Sequence, residues 1–342
     1  MNKTKILISL SGGIDSSMSL FILKTNDFYI EAIFMKNWND SGHITYKDFK
    51  NALLICNKFK IKLNIIDLSN YYWKNVFLIF LKKLKLGFTP NPDIDCNKKI
   101  KFKILLQYCL FKLHFKFLST GHYSKIFNIN NKYYIQNSFD SFKDQSYFLS
   151  NIKTHILKYI IFTLSNYSKY YIKTIIKMLY TFNYNKKESM GICFIGNTHF
   201  KKFIQKYIKN KTGKIIIIHN NTIIGTHNGL HFYTLGEKLY NNNKNFFIIK
   251  KDITSNNLYV SKNNISCLMH NKITITFNTC FNLKKTTTCF FKIRHQSKLQ
   301  KCLLIIKKNH YLLFLYKKNM LIPGQSLVFY KYKFYLNYFL IK

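Results

Sequence analysis

The sequence predicts an α/β fold: a doubly wound parallel sheet over residues 1–205, a small central domain over 206–265 and a C-terminal β-barrel over 266–342. Three observations predict it. Apolar strand-length runs alternate with helical patterns from the N-terminus to about residue 200, as crossover-connected parallel strands require. From 200 to 265 the runs shorten and are punctuated by Gly225, Gly229 and Gly236. After 266 short alternating runs recur at near-even spacing, the pattern of a small barrel or sandwich.

The elements follow in order. Ile6 to Leu10 reads as a short buried strand, and the pattern from Ser19 to Lys24 as the start of a helix. Between them stands Ser11-Gly12-Gly13-Ile14-Asp15-Ser16-Ser17. Two glycines and three hydroxyls before a helix start make an anion cradle: glycine lets backbone N–H groups approach an oxyanion, and the helix N-terminus adds free donors and positive dipole. No G-x-x-x-x-G-K-[ST] occurs, so this is not the Walker type. Further strands are predicted at Ile30–Met35, Leu63–Asp67 and Phe117–Thr120, the last followed by Gly121-His122-Tyr123. Helices are predicted at Asp48–Phe59 and Lys98–His114, with a long amphipathic stretch over Tyr71–Leu86 and a proline-containing loop before the second helix. In open α/β sheets ligands bind beyond the carboxyl ends of strands, where the glycine loop, Met35 and Gly121 all fall. A helix over Phe200–Lys209 leads into a strand near Thr212–Ile218, and Asn241–Asn245 reads as a loop. Strands are expected at Lys272–Phe277, Thr288–Ile293, Cys302–Lys307, Tyr311–Tyr316 and Ser326–Tyr330.

At 342 residues the chain is long enough for two or three cores. No run of 18 apolar residues occurs and the apolar N-terminal stretch is cut by the glycine loop, so neither a spanning helix nor a signal peptide is expected and the compartment is the cytoplasm. The formal charge is +41, from 54 Lys and Arg against 13 Asp and Glu, and the only arginine is Arg294. Lys, Asn, Ile, Tyr and Phe all have A/T-rich codons, so genome composition accounts for much of the excess; the resulting positive surface still attracts polyanions without reading sequence. Eight cysteines stand at 56, 96, 109, 193, 267, 280, 289 and 302 with no C-x-x-C among them, which excludes zinc-ribbon and iron–sulfur spacings.

Two cysteines have distinctive neighbours. Pro90-Asn-Pro-Asp-Ile-Asp-Cys96-Asn-Lys-Lys-Ile-Lys places Cys96 at or just before a helix N-terminus, where the dipole and Lys98, Lys99 and Lys101 favour thiolate while Asp93 and Asp95 oppose it. A capped helix start with a buried thiol is the plainer alternative. Cys193, in Glu188-Ser-Met-Gly191-Ile-Cys193-Phe-Ile-Gly196, has glycines on either side that leave room for a large partner. A packed strand cysteine is its alternative.

Taken in order, SGGIDSS, NPDIDCNKKIKF, GHY, Lys143-Asp-Gln-Ser-Tyr-Phe-Leu149, GICFIG, the segment from Gly225 through His227 and Gly229 to Tyr233-Thr-Leu-Gly236, Asp252 with Asn257-Leu-Tyr-Val260, and Pro323-Gly-Gln325 resemble the bacterial tRNA-specific 2-thiouridylases nearly end to end. The S-G-G-x-D-S form by itself resembles the PP-loop of ATP pyrophosphatases, so the resemblance implies a PP-loop, adenine nucleotide alpha hydrolase-like first domain. It implies an enzyme that uses ATP and Mg²⁺ to adenylate the C2 oxygen of a tRNA wobble uridine and replace it with sulfur, releasing AMP and pyrophosphate. Cys193 is implied as the persulfide carrier and Cys96 as the nucleophile that frees its sulfur, leaving a transient Cys96–Cys193 disulfide. Ser9, Leu10, Ser11, Gly12, Gly13, Ile14, Asp15, Ser16, Met35 and Gly121 map to the ATP site, with Asp15 toward Mg²⁺. Asn91, Pro92 and Asp93 map to the flipped target uridine, Asp93 either moving a proton or capping a helix. His122, Lys143, Asp144, Gln145, Arg294, His295 and Gln325 map to other tRNA contacts. The implied partners are the tRNAs for Lys, Glu and Gln and a sulfur-relay protein or cysteine desulfurase. The chain departs from the pattern at Gly236-Glu237-Lys238, where Gly-Gln-Arg is usual, at Met190, where a small hydroxyl residue is usual, and at its last strand, which lacks a glycine run. A different PP-loop adenylating enzyme, such as an amidating synthetase, is the main alternative; a non-catalytic tRNA-binding protein is the other.

Overall fold

In the computed structural model the described residues are 3–38, 43–179, 200–241, 243–262, 265–276, 286–307, 310–331 and 334–341. The chain divides into two compact units: Met1–Phe77 with Pro92–Asn197 and Lys333–Asn337, and Leu78–Asn91 with Thr198–Tyr332 and Tyr338–Lys342.

The first unit is built on β1 (Lys5–Ser9), α1 (Ile14–Lys24), β2 (Tyr29–Lys36), α2 (His43–Phe59) and β3 (Leu63–Asp67), followed by α3 (Ser69–Tyr72) and a π-type turn, Trp73–Phe77. The next helix, α4 (Leu78–Lys85), belongs to the second unit. The chain returns to the first with α5 (Pro92–Cys96), which runs on through π-type turns to Lys112, and then β4 (Phe117–Thr120). A hairpin, β5 (Lys125–Ile129) and β6 (Lys132–Gln136), then β7 (Ile160–Phe162) and α6 (Lys169–Met178) complete the unit. The main sheet has the order β3-β2-β1-β4-β7, and every pairing in it is parallel. Burial explains the strands: Ile6, Leu7 and Ile8 of β1 are fully buried, as a central strand covered on both faces must be. One apolar cluster joins Ile6, Ile8, Ala32 and Phe34 of the sheet to Leu20 of α1 and Ile55 of α2. A second joins Ile14 and Met18 of α1 to Ile172 and Ile176 of α6. Each such side chain contributes about 1.5–3 kcal/mol by leaving water. This is the predicted doubly wound sheet.

The second unit adds α7 (Phe200–Gln205), β8 (Gly213–Ile217), β9 (Ile223–His227), β10 (Lys238–Asn241), β11 (Lys244–Asp252) and β12 (Asn257–Ser261). These strands form one sheet in the order β10-β11-β12-β8-β9, with only β12 and β8 parallel. A second sheet takes β13 (Met269–Thr276), β14 (Thr286–Lys292), β15 (Gln300–Ile306), β16 (His310–Met320), β17 (Ser326–Lys331) and the end of β18 (Phe334–Leu340), in the order β13-β16-β15-β14-β17-β18. The start of β18 lies in the first unit, where Phe334 pairs with Gln136.

Several boundaries differ from expectation. α2 begins at His43 rather than Asp48, and α7 ends at Gln205 rather than Lys209. The helix expected from Lys98 starts at Pro92, since proline fits a first helical turn and lacks only an N–H that would be unbonded there. Of the loop expected over Asn241–Asn245, Asn241 ends β10 and Lys244 and Asn245 begin β11, with Asn241 paired to Lys244. The β5–β6 hairpin was not expected; its turn residues Asn130 and Asn131 have φ of 49° and 60°, a left-handed pair that asparagine tolerates. Among the described residues no helix is long and apolar enough to cross a membrane.

Candidate active site

The glycine loop leaves β1 between β2 and β4, the point at which the strand order reverses direction across the sheet. The crevice at which open α/β sheets bind ligands lies there, beyond the carboxyl ends of β1 and β4. Ser9 ends β1, Leu10 is buried, and the backbone turns at Gly12, whose φ is 65°. A Cβ at Gly12 would lie 2.2 Å from the Asp48 carbonyl oxygen, so only glycine fits. Hydroxyls brace the turn: the Ser11 amide donates to Ser16 Oγ at 3.1 Å, and Ser16 and Ser17 Oγ donate to the Gly13 carbonyl at 3.1 and 2.8 Å. Gly13 is the N-cap of α1 and has no side chain to cap its first turn, an arrangement that suits a bound anion. From the other side Gly121, just past β4, approaches so closely that a Cβ there would lie 2.7 Å from the Ser16 amide nitrogen. Met35, half-buried, stands one residue before the end of β2. The structure therefore brings Ser9–Ser16 and Gly121 together at one crevice, with Met35 at the end of the neighbouring strand.

Asp15 opens toward this crevice in company that sequence reasoning missed. Its Oδ1 accepts from Lys169 Nζ at 2.6 Å and from the Tyr123 hydroxyl at 2.7 Å. Lys169 lies 154 residues away at the start of α6 and its side chain is only 9% exposed. Ser168 caps α6 through the Tyr171 amide, and the Asp140 carboxylate holds the Lys169 amide at 2.8 Å. The only local cue was Ser168 ahead of an apolar periodicity. Among the described residues no group of three or more His, Cys, Asp or Glu is gathered for a metal. A single carboxylate fits Mg²⁺ held largely by phosphate oxygens and water, the usual manner of that ion at nucleotides.

Cys96 ends α5 and is buried. Burial pushes its thiol up to about 11, and Asp93 and Asp95 push the same way, while the Lys101 ammonium opposes them. Of the opposing effects the sequence left unranked, burial is the largest. Cys96 is a full turn inside the helix, away from its N-terminal dipole, and Lys99 is engaged by Asp95 at 3.2 Å. Beside it, Asn97 donates to the Phe148 carbonyl at 3.2 Å, and Phe102 breaks the helical geometry with φ −100° and ψ 17°. His122 packs between Phe102 and Phe162 at 5.7 and 5.8 Å, with Nδ1 2.7 Å from Thr120 Oγ1. Burial, and secondarily the Lys101 ammonium, holds it well below its usual range, so it is neutral at pH 7. Lys101 thus acts on both Cys96 and His122. Pro92 and Asp93 form the first turn of α5. Cys193 and its GICFIG segment, with Met190, lie outside the described residues.

The remaining candidates divide. Asp144 is buried and accepts from the Ser138 amide at 3.1 Å and the Ser146 hydroxyl at 2.8 Å. Gln145 trades bonds with Tyr123: its amide donates to the Tyr123 carbonyl at 2.8 Å and its Oε1 accepts from the Tyr123 amide at 3.1 Å. These two shape the loop that presents the half-buried Lys143. In the second unit, Gly324 has φ of 91° and packs against Thr89, whose amide donates to the Pro323 carbonyl at 2.9 Å. Gln325 is thereby set beside the strand of chain that leads to Asn91. Arg294 is exposed at a turn closed by Ser297 Oγ, which donates to the Arg294 carbonyl at 2.8 Å, and His295 follows it half-buried. Glu237, the departure from the usual pattern, accepts from the Thr234 amide at 2.9 Å and so serves its own turn.

A family profile described as the tRNA methyl transferase HUP domain matches residues 4–197. Profiles described as the tRNA methyl transferase PRC-barrel domain and the aminomethyltransferase beta-barrel domain match 201–262 and 266–336. The chain is 37% identical over 345 residues to the tRNA-specific 2-thiouridylase MnmA of Blochmanniella floridana, spanning 95% of this chain and 93% of that one. It is 35% identical to the protein of the same name from Legionella pneumophila (strain Lens), over 96% of both chains. It is also 35% identical to that of Buchnera aphidicola subsp. Baizongia pistaciae (strain Bp), over 96% of this chain and 94% of the relative.

Proposed function

The chain belongs to the tRNA-specific 2-thiouridylase family, and we propose that it replaces the C2 oxygen of a tRNA wobble uridine with sulfur at the expense of ATP. The observation that supports this best is the uncapped glycine loop at the sheet's switch point, closed from the far side by Gly121. Bound there, ATP supplies the adenylyl group that turns a poor oxygen leaving group into AMP. Ser11–Ser16 offer backbone donors to the phosphates, Gly121 keeps the crevice narrow, and Met35 borders the adenine. Asp15 would hold Mg²⁺, sharing a carboxylate now bonded by Lys169 and Tyr123, and the ion would supply charge neutralisation to the phosphates.

Sulfur arrives on Cys193 as a persulfide. The Cys96 thiolate attacks the inner sulfur and forms the Cys96–Cys193 disulfide. The outer sulfur leaves as hydrosulfide, which attacks C2 and expels AMP; a reductant then restores the two thiols. Because burial holds Cys96 protonated in the free protein, it must lose its proton once tRNA is seated. Asp93, three residues earlier on the same helix, is the acceptor, since the adjacent Asp95 is engaged by Lys99 at 3.2 Å. Asn91, Pro92 and Asp93 receive the extruded uridine, and His122, Lys143, Asp144, Gln145, Arg294, His295 and Gln325 contact or shape the tRNA path. Residues 1–205, 206–265 and 266–342 act as catalytic, central tRNA-contacting and barrel domains. The cytoplasm, where tRNA and a persulfide-donating relay protein or desulfurase are found, is the site of action, with the tRNAs for Lys, Glu and Gln as substrates.

The test is pyrophosphate release from ATP and Mg²⁺ in the presence and absence of unmodified tRNA. Release that requires tRNA and is lost in Asp15→Asn supports the reading. Release that ignores tRNA but answers to a carboxylate and ammonia moves the chain to an amidating chemistry.

A further inference from the structure

We infer that the junction of the 138–143 loop with the start of α6 is an RNA-stacking surface, at which unpaired bases of the bound tRNA stack on Phe139, Phe142 and Tyr170. This rests on the proposal that the substrate is tRNA and adds contacts to it. Three large aromatics stand out here: Phe139, Phe142 and Tyr170 are 75%, 87% and 83% exposed. An isolated exposed aromatic is ordinary, but these project from one small patch of backbone. The Asp140 carboxylate accepts from the amides of Phe142 at 3.0 Å, Lys143 at 3.2 Å and Lys169 at 2.8 Å. The Phe139 amide donates to the Ser165 carbonyl at 2.8 Å. The loop is thus pinned to the residues before and within the first turn of α6. Behind Tyr170, Tyr171 stacks on Tyr167 with ring centroids 5.6 Å apart and planes 9° from parallel.

Charge selects the occupant. In residues 137–145 and 165–179 the acids are Asp140 and Asp144 alone. The first is engaged by three amides and the second is buried on Ser138 and Ser146. Lys143 stands in the loop, and Lys173 and Lys177 follow Tyr170 on the exposed face of α6. Exposed rings set among ammonium groups suit a polyanion whose bases offer flat π-faces. An apolar protein helix would ask for a groove of aliphatic side chains instead.

The experiment measures binding of unmodified tRNA transcript to the full-length protein by filter retention from 50 to 300 mM salt. The variants are Phe142→Leu with Tyr170→Leu, Tyr170→Phe, and Lys173→Gln, with thermal midpoints recorded for each. Stacking predicts that the double leucine variant binds roughly fivefold to a hundredfold more weakly with an unchanged salt slope. Tyr170→Phe should bind as wild type, and Lys173→Gln should flatten the slope by about one unit. Wild-type affinity in a folded double leucine variant overturns the inference and assigns the rings to another partner, such as an acidic protein. If the wild-type protein itself retains no tRNA, the proposed substrate fails and the inference falls with it.

Discussion

Replacing Gly121 by alanine probes the closest contact in the site. The new methyl would lie 2.7 Å from the Ser16 amide nitrogen, 2.9 Å from the Asp15 carbonyl carbon and 3.0 Å from Ser16 Cα, all of them backbone. No side chain can swing aside, so the first turn of α1 must retreat by roughly 0.7 Å to reach ordinary contact. Overpacking of this kind costs about 1–3 kcal/mol, which lowers the thermal midpoint by about 2–10 °C for a unit of this size. The same retreat displaces amides that would bond the phosphates. Hydrogen bonds to charged groups carry about 1.5–3 kcal/mol each, so losing the alignment of one weakens ATP binding by about 10- to 150-fold. Isothermal titration with a non-hydrolysable ATP analogue and Mg²⁺, beside scanning calorimetry, reads both effects. Gly213→Ala is the control: its Cβ would meet the Asn256 carbonyl at 1.8 Å in the other unit, so it should cost stability and leave ATP affinity intact. Gly121→Ala with wild-type ATP affinity would refute the placement of the phosphates between α1 and β4.

Three further expectations concern protons and the loop. With its thiol near 11, Cys96 is about one part in ten thousand thiolate at pH 7. Iodoacetamide labelling of Cys96, followed by peptide mass spectrometry, should rise about tenfold per pH unit up to about pH 10 and be slower still in Lys101→Met; a plateau by pH 8 contradicts the burial argument. His122 is held below its usual range by burial, so below about pH 6.5 the unfolded chain binds a proton that the folded chain refuses. Stability therefore falls with acidification in that window, and His122→Asn should shrink the slope of thermal midpoint between pH 5 and 7, although buried His227 and His231 keep part of it. Gly12→Ala forces a left-handed alanine onto the Asp48 carbonyl and should lower the thermal midpoint more than Gly13→Ala, whose Cβ meets only the Ser11 hydroxyl at 3.3 Å.

What the sequence disclosed and what it hid have physical reasons. β1 was legible because a strand buried on both faces is an unbroken apolar run, and the glycine loop because a strand-to-helix turn with φ of 65° leaves few residue choices. The β5–β6 hairpin escaped because Asn130-Asn131 turns the chain in a sequence where asparagine is common everywhere, which blunts it as a turn signal. The Asp15–Lys169 pair escaped because its partners are 154 residues apart and no local periodicity encodes such a meeting. Cys96 was expected at or just before a helix N-terminus and credited with its dipole, whereas it ends α5. Pro92 starts that helix a turn earlier, and burial then outweighs Lys101. The roles of Asp144 and Gln145 as braces rather than exposed side chains could be read only once Ser138, Ser146 and Tyr123 were seen to bond them.

The central claim is sulfur transfer to a tRNA uridine through two cysteines, and it is tested most directly by mass spectrometry of nucleosides. Unmodified tRNA is incubated with the protein, ATP, Mg²⁺ and a persulfide-generating desulfurase with cysteine, then digested. The account predicts a uridine with one oxygen replaced by sulfur, made only with ATP, by wild type and not by Cys193→Ser or Cys96→Ser. Thiolated uridine produced equally by Cys193→Ser, or none produced by a wild-type protein that binds the tRNA and ATP, would contradict it.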